Sequence, residues 1–104
     1  MNIVHIAPNA PYNEGWGYQE NLLPKYHKRL GHHVALIITN TMHKDGKIVE
    51  VGCGEYFNDN GIRIIRLNRV NYYNRSLTNL FSKLRVNSLL TEIDPDIVFF
   101  HGLI

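Results

Sequence analysis

Ile3, Val4 and Ile6 form a short apolar run that Pro8 closes, the pattern of a buried strand over residues 2–8. A polar stretch with two glycines follows. Leu22, Leu23, Tyr26 and Leu30 then recur at helical spacing, predicting a helix over about residues 17–30 with Gly31 as its stop. Pro24 falls beyond the first turn of that helix, where its missing N–H and its ring predict a kink or a later start. His33-Val-Ala-Leu-Ile-Ile-Thr39 is almost continuously apolar, as expected of a strand covered on both faces. Lys44-Asp45-Gly46-Lys47 reads as a turn, and Ile48 to Val51 alternates like a short exposed strand before Gly52-Cys53-Gly54 interrupts it. Asn58-Asp59-Asn60-Gly61 is a second turn, leading into a strand at Ile62-Arg-Ile-Ile-Arg-Leu67.

Residues 68–74 are polar and aromatic, the composition of a loop. Residues 75–93 have helical periodicity, but the apolar stripe changes face. Leu77, Leu80, Phe81 and Leu84 share one side, and Val86, Leu89, Leu90 and Ile93 point about 170° away at 100° per residue. Two helices with a break near Arg85 fit that change better than one helix buried all round. Asp94-Pro95-Asp96 ends the segment, and Ile97-Val-Phe-Phe100 is a fourth buried strand running into His101-Gly102.

Strand, helix, strand, strand, helix, strand is the order of an α/β domain with a parallel sheet and crossover helices. Right-handed crossovers leave few topologies, and the expectation is a Rossmann-like sheet in the order 3-2-1-4, with the switch point between the first and fourth main strands. Ligands bind beyond the carboxyl ends of strands at such a point. The glycine loop after the first strand and His101 after the fourth both belong there.

Composition narrows the function classes. The chain has 104 residues, 44% of them apolar, enough for one modest core. A net charge of +2 with neutral histidines is too small to imply a nucleic-acid partner. The lone Cys53 cannot form an internal disulfide and reads as an inert thiol. Neither a run of about 18 apolar residues nor a signal-peptide pattern is present. The expectation is a cytoplasmic protein.

Candidate chemistry centres on Gly15-Trp16-Gly17-Tyr18, which precedes a helix N-terminus, where backbone N–H groups favour an oxyanion. The two glycines are read as a phosphate- or substrate-approaching loop, or as a turn needing positive φ. Trp16 and Tyr18 either pack or stack on a sugar face. The loop is not a dinucleotide fingerprint: it begins seven residues after Pro8, Glu20 stands where a third glycine belongs, and the next strand ends in Thr39-Asn40 without a carboxylate. A P-loop is absent as well. His101 has a structural reading alongside a sugar-contacting or catalytic one. His5 reads as a core or cleft residue, and His27, His32, His33 and His43 show no metal-ligand spacing, so no metal is expected. Between Asp59 and Glu92 lie six basic residues and no acid. That run is a solvated surface, or else a patch with Arg69, Tyr72, Tyr73 and Arg75 touching an anionic membrane or an acceptor.

The opening strand, the loop with closely spaced glycines, the helix ending in Leu30-Gly31-His32 and the run His33–Thr39 together resemble the N-terminal domain of family 4 retaining glycosyltransferases, which have the GT-B fold. Asn60-Gly61-Ile62-Arg63-Ile64-Ile65-Arg66-Leu67 resembles the family's third strand, and Pro95-Asp96-Ile97-Val98-Phe99-Phe100-His101-Gly102 its fourth. The family has two adjacent glycines in its loop, whereas here Trp16 separates them. The resemblance implies that residues 1–104 are the first part of an acceptor-side domain, without the C-terminal donor-binding domain and inactive alone. It implies transfer of a sugar from a nucleotide-sugar donor, itself a substrate and not a cofactor, to a glycan or lipid-linked acceptor with retention. Gly15 and Gly17 become loop glycines near donor and acceptor, and His101 the active-site histidine. A nucleotide-sugar epimerase and a non-catalytic α/β binding module are the alternatives.

Overall fold

A computed structural model describes residues 1–7, 11–68 and 85–101. Among these residues seven strands are present: β1 (Asn2–Ala7), β2 (His33–Thr39), β3 (Thr41–Lys44), β4 (Lys47–Glu50), β5 (Gly54–Phe57), β6 (Arg63–Leu67) and β7 (Ile97–Phe100). Helix α1 spans Gln19–Arg29, and residues 85–93 form a second helical segment, α2. Five strands make one sheet in the order β5-β6-β2-β1-β7, and β3 and β4 make a separate antiparallel pair. In the larger sheet β1 runs parallel to β2 and to β7, β2 runs parallel to β6, and β5 runs antiparallel to β6.

This corrects the fold expected from sequence. In place of a purely parallel, Rossmann-like sheet of four strands in the order 3-2-1-4, the protein is a small α+β fold with a mixed five-stranded sheet and an accessory hairpin. The difference arises between residues 40 and 62, which hold no helix. Asp45 and Gly46 both take positive φ (52° and 76°), the two-residue hairpin turn whose twist matches its strands, and it closes β3 on β4. Gly54–Phe57 then lies at the sheet edge and returns through Asn58–Gly61, where the Asn58 side chain accepts from the Asn60 and Ile62 amides at 3.0 Å each. The half-GT-B architecture is set aside with the parallel sheet.

The core lies on both faces of the sheet. Val34, Leu36, Ile38 and Ile64 pack with Ala7 and Tyr12 on the α1 side. Val4, Ile6, Ala35, Ile37 and Ile65 pack with Leu89 on the other, joined by Val86, Leu90 and Ile93 of α2. Complete burial of a side chain such as Leu36 stabilises by about 2 kcal/mol before entropy is counted.

Helix α1 reverses its expected orientation. Of the expected apolar stripe Leu22, Tyr26 and Leu30 are exposed and Leu23 is half-buried, while Asn21 and Pro24 are buried against β1 and β2. Pro24 stays inside the helix, so the Glu20 carbonyl lacks the N–H donor four residues on that an ordinary residue would supply. The polar side chains that turn inward find partners there, Asn21 at the Asn13 carbonyl and His27 at His5. Among the described residues no helix is long and apolar enough to cross a membrane.

Candidate functional site

The loop 11–18 crosses the carboxyl end of the sheet and is fastened on both sides. Asn13 pairs with the His43 backbone through two 2.8 Å bonds, its Nδ2 donating to the carbonyl and its Oδ1 accepting from the amide. The Tyr12 amide donates to the Thr41 carbonyl at 2.9 Å, and Asn21 Nδ2 in α1 donates to the Asn13 carbonyl at 2.7 Å. Gly15 has φ +79°, in a tight turn where the Trp16 amide reaches back toward the Asn13 carbonyl at 3.4 Å. Gly17 has no positive φ, and a Cβ on either glycine would meet nothing within 4 Å. Trp16 stacks on His43 with 5.3 Å between ring centroids and 8° between planes, and has Tyr18 tilted at 5.8 Å. Both residues keep an exposed surface, 39% for Trp16 and 54% for Tyr18.

Beneath the loop, Arg66 is buried at the end of β6. Its Nη1 donates to the carbonyls of Thr39 and Thr41 at 3.1 Å each and its Nη2 to that of Tyr12 at 3.0 Å, with the guanidinium 5.6 Å from the Tyr12 ring centre. Read from sequence as part of a solvated basic run, it is an internal brace holding the loop to two strand ends. Glu14 gathers a second set of bonds, from the hydroxyls of Tyr12 at 3.2 Å and Tyr56 at 3.0 Å and from Asn58 Nδ2 at 3.2 Å. Burial, and then the neighbouring Glu14 carboxylate, push the Tyr12 phenol well above its ordinary range.

The last part is a line of imidazoles. His5 is fully buried in β1. Its Nδ1 lies 2.8 Å from His101 Nε2, and its Nε2 lies 3.0 Å from His27 Nδ1 on α1. Phe99, the register partner of His5 on β7, stacks on it at 5.0 Å and 12° and also packs on His27 at 5.0 Å. The His101 amide donates to the Ile6 carbonyl at 2.7 Å, extending the β1–β7 ladder and fixing its place at the strand end. Burial, aided by the two flanking histidines, drives the His5 pKa down to about 3. Burial also lowers His27 and His101, and for His101 the charge of Glu20, in the first turn of α1, acts in the opposite sense.

The sequence candidates thus divide. Gly15, Trp16, Gly17 and Tyr18 form the exposed loop leading directly into α1. His101 is half-buried and hydrogen-bonded to His5. Arg69, Tyr72, Tyr73 and Arg75 lie outside the described residues. Among the described residues no group of three or more potential ligands is arranged to hold a metal ion. The cysteine is exposed, its thiol 2.9 Å from Asn68 Oδ1. A cavity of about 260 Å³ bordered by Asn2, Lys28, His33, Phe57 and Arg63 opens at the opposite, amino end of the strands.

His5 and His27 were missed as members of the site. The usable signal was parity: a histidine between apolar neighbours in a buried strand must find both a donor and an acceptor. His27 follows Asn21 and Pro24 at i+6 and i+3, the spacing of the helix face that turns inward. No protein-family model, curated protein or solved structure matches the chain.

Proposed function

We propose that this chain supplies the acceptor-side part of a retaining glycosyltransferase, working on a nucleotide-sugar donor and a glycan or lipid-linked acceptor. The observation that carries the reading is one junction: the exposed Trp16–Tyr18 loop leads straight into the turn of α1 whose Glu20 bears on His101. Exposed aromatic rings on a fastened loop suit the apolar face of a sugar, because they offer a large surface at little entropic cost. A half-buried imidazole within the electrostatic reach of a carboxylate suits a sugar hydroxyl, since it can accept or donate. Gly15 and Gly17, with open space around both, let a bulky ligand approach the backbone. The sugar-transfer reading stands here on these side chains and not on the sheet topology.

Trp16 is the protein's only tryptophan, so its fluorescence reports the loop directly. Titration with oligosaccharides and nucleotide-sugars is expected to change that emission, and calorimetric titration of Trp16→Ala to show binding weakened about tenfold, the effect of losing one stacking contact of about 1.4 kcal/mol. Incubation with an α-linked nucleotide-sugar and acceptor glycans, followed by NMR of the anomeric proton, is expected to show an α-linked product that His101→Ala reduces. Donor consumption without acceptor would favour an epimerase. Sugar binding without turnover in every arrangement, including the longest natural form of the chain, would leave a non-catalytic module.

A further inference from the structure

A neutral imidazole has one N–H and one bare nitrogen. His5 is hydrogen-bonded at both nitrogens, to His101 Nε2 and to His27 Nδ1, so its tautomer dictates those of its neighbours. If His5 carries its proton on Nδ1, it donates to His101 Nε2, leaving that ring protonated on Nδ1. Its own bare Nε2 then requires a proton on His27 Nδ1. If His5 is protonated on Nε2 instead, both neighbours must be protonated on Nε2. Only two neutral arrangements satisfy both bonds: all three rings Nδ1–H, or all three Nε2–H.

We propose that His27, His5 and His101 form a proton relay whose three rings switch tautomer together, linking the α1 side of the sheet to the carboxyl end of its strands. The relay balances at each step. In the Nε2–H arrangement His101 Nδ1 is bare and accepts a proton from an attacking hydroxyl. The His101 Nε2 proton passes to His5 Nδ1, the His5 Nε2 proton passes to His27 Nδ1, and His27 releases its own Nε2 proton outward. The three rings are then all Nδ1–H, one proton has crossed, and the reverse sequence delivers one. Its service to sugar transfer rests on the function proposed above, whereas the coupling of tautomers rests on the two hydrogen bonds alone.

The surroundings favour a neutral chain. Phe99 stacks on His5 and packs tilted against His27, and the stretch of β1 around His5 is buried from Ile3 to Ala7. The titratable groups bearing on the ends are His32, edge-on to His27 at 6.5 Å, and Glu20, whose charge acts on His101. Burial keeps His5 neutral far below neutrality, so its role is to pass a proton and not to store one. The half-buried rings at either end are the points of entry and exit.

Long-range ¹H–¹⁵N correlation spectra of histidine-labelled protein at pH 7.5, with no substrate present, test this directly. The expected result is one shared tautomer for the three residues, or equal tautomer proportions if the two arrangements interconvert. His27→Ala is expected to change the tautomer proportions of His5 and His101 in the same sense, although His101 is two hydrogen bonds away. Opposite tautomers on His27 and His101 in the wild-type protein would overturn the relay. So would a His27→Ala spectrum in which His101 is unmoved, and the wild-type spectrum decides even if that variant does not fold. Because the readout needs no turnover, a failed transferase assay and a failed relay remain separate results.

Discussion

Asn13 holds His43 by its backbone, with both arms of the side-chain amide engaged at 2.8 Å, as a neighbouring strand would hold it. The loop bearing Trp16 is therefore docked on β3, and the Trp16–His43 stack completes the contact. Asn13→Ala removes one donor and one acceptor and leaves the His43 amide without this partner, which predicts a loss of about 1–2 kcal/mol. The same variant is expected to shift Trp16 emission to the red and to lower its anisotropy, as the indole leaves its stack. Unchanged emission would mean that the loop is held by other contacts.

Gly15 and Gly17 are expected to respond differently to the same change. Gly15 sits at φ +79°, where an L-residue is strained, and Gly17 does not. Gly15→Ala should therefore cost about 1 kcal/mol of stability in urea titrations, although its added Cβ meets no atom. Gly17→Ala should leave stability within about 0.5 kcal/mol of the wild type. A loss of sugar binding in Gly17→Ala at unchanged stability would tie that glycine to ligand approach. Equal destabilisation by both variants would contradict the distinction drawn from φ.

The apolar runs that became β1, β2 and β6 were legible because burial on both faces leaves little freedom in composition, as in Val34–Thr39, all buried. By contrast, β7 has the same apolar composition but lies at the sheet edge with Ile97, Val98 and Phe100 exposed. The edge strand β5 was not legible: Gly54, Glu55, Tyr56 and Phe57 are all exposed and show no alternation, so nothing in their pattern separates a strand from a loop. The antiparallel edge went unseen for that reason. Helix α1 misled in a different way. Its apolar residues suggested an inward face, but Asn21, Pro24 and His27 turn in because Asn13 and His5 await two of them. Partners that distant in sequence leave no periodic trace. His101 was legible from its place after a strand, while its link to His5 depends on the β1–β7 register that sets His5 opposite Phe99.

Arg66 shows how a charged residue can serve a small core. Its three carbonyl partners belong to the end of β2, the start of β3 and the loop, so one side chain ties together the elements that shape the carboxyl end of the sheet. Among the described residues no carboxylate forms an ion pair with it. Replacement by alanine withdraws these donors from buried carbonyls and empties the space beside Tyr12, predicting a loss of about 2–4 kcal/mol. Arg66→Lys is expected to recover only part of this, because an ammonium cannot span the same fork of acceptors. Chemical denaturation of the two variants at neutral pH checks the order, and equal stability of Arg66→Ala and wild type would refute the brace.

The histidine line makes stability fall with acid well before the carboxylates titrate. His5 has a folded-state pKa of about 3 against an unfolded value of 6.5, so between these the unfolded chain binds more protons than the folded one. Stability therefore rises with pH through that window: it is fully present above about 6.5 and lost as pH falls toward 3. His27 and His101 are shifted in the same direction and add to the effect. Glu55, held below its ordinary value chiefly by the hydrogen bond from Arg63, contributes stability that disappears only below the usual carboxylate range. Lowering the pH from 7.5 to 5 should thus cost about 2 kcal/mol through His5, with His27 and His101 adding to it, visible as a lower urea midpoint at unchanged slope. His5→Phe removes the most strongly shifted ring and leaves His27 and His101, so its stability should fall less over that interval than that of the wild type, whatever its absolute value. A wild-type midpoint that does not move between pH 7.5 and 5 would show that His5 is not held neutral in the fold.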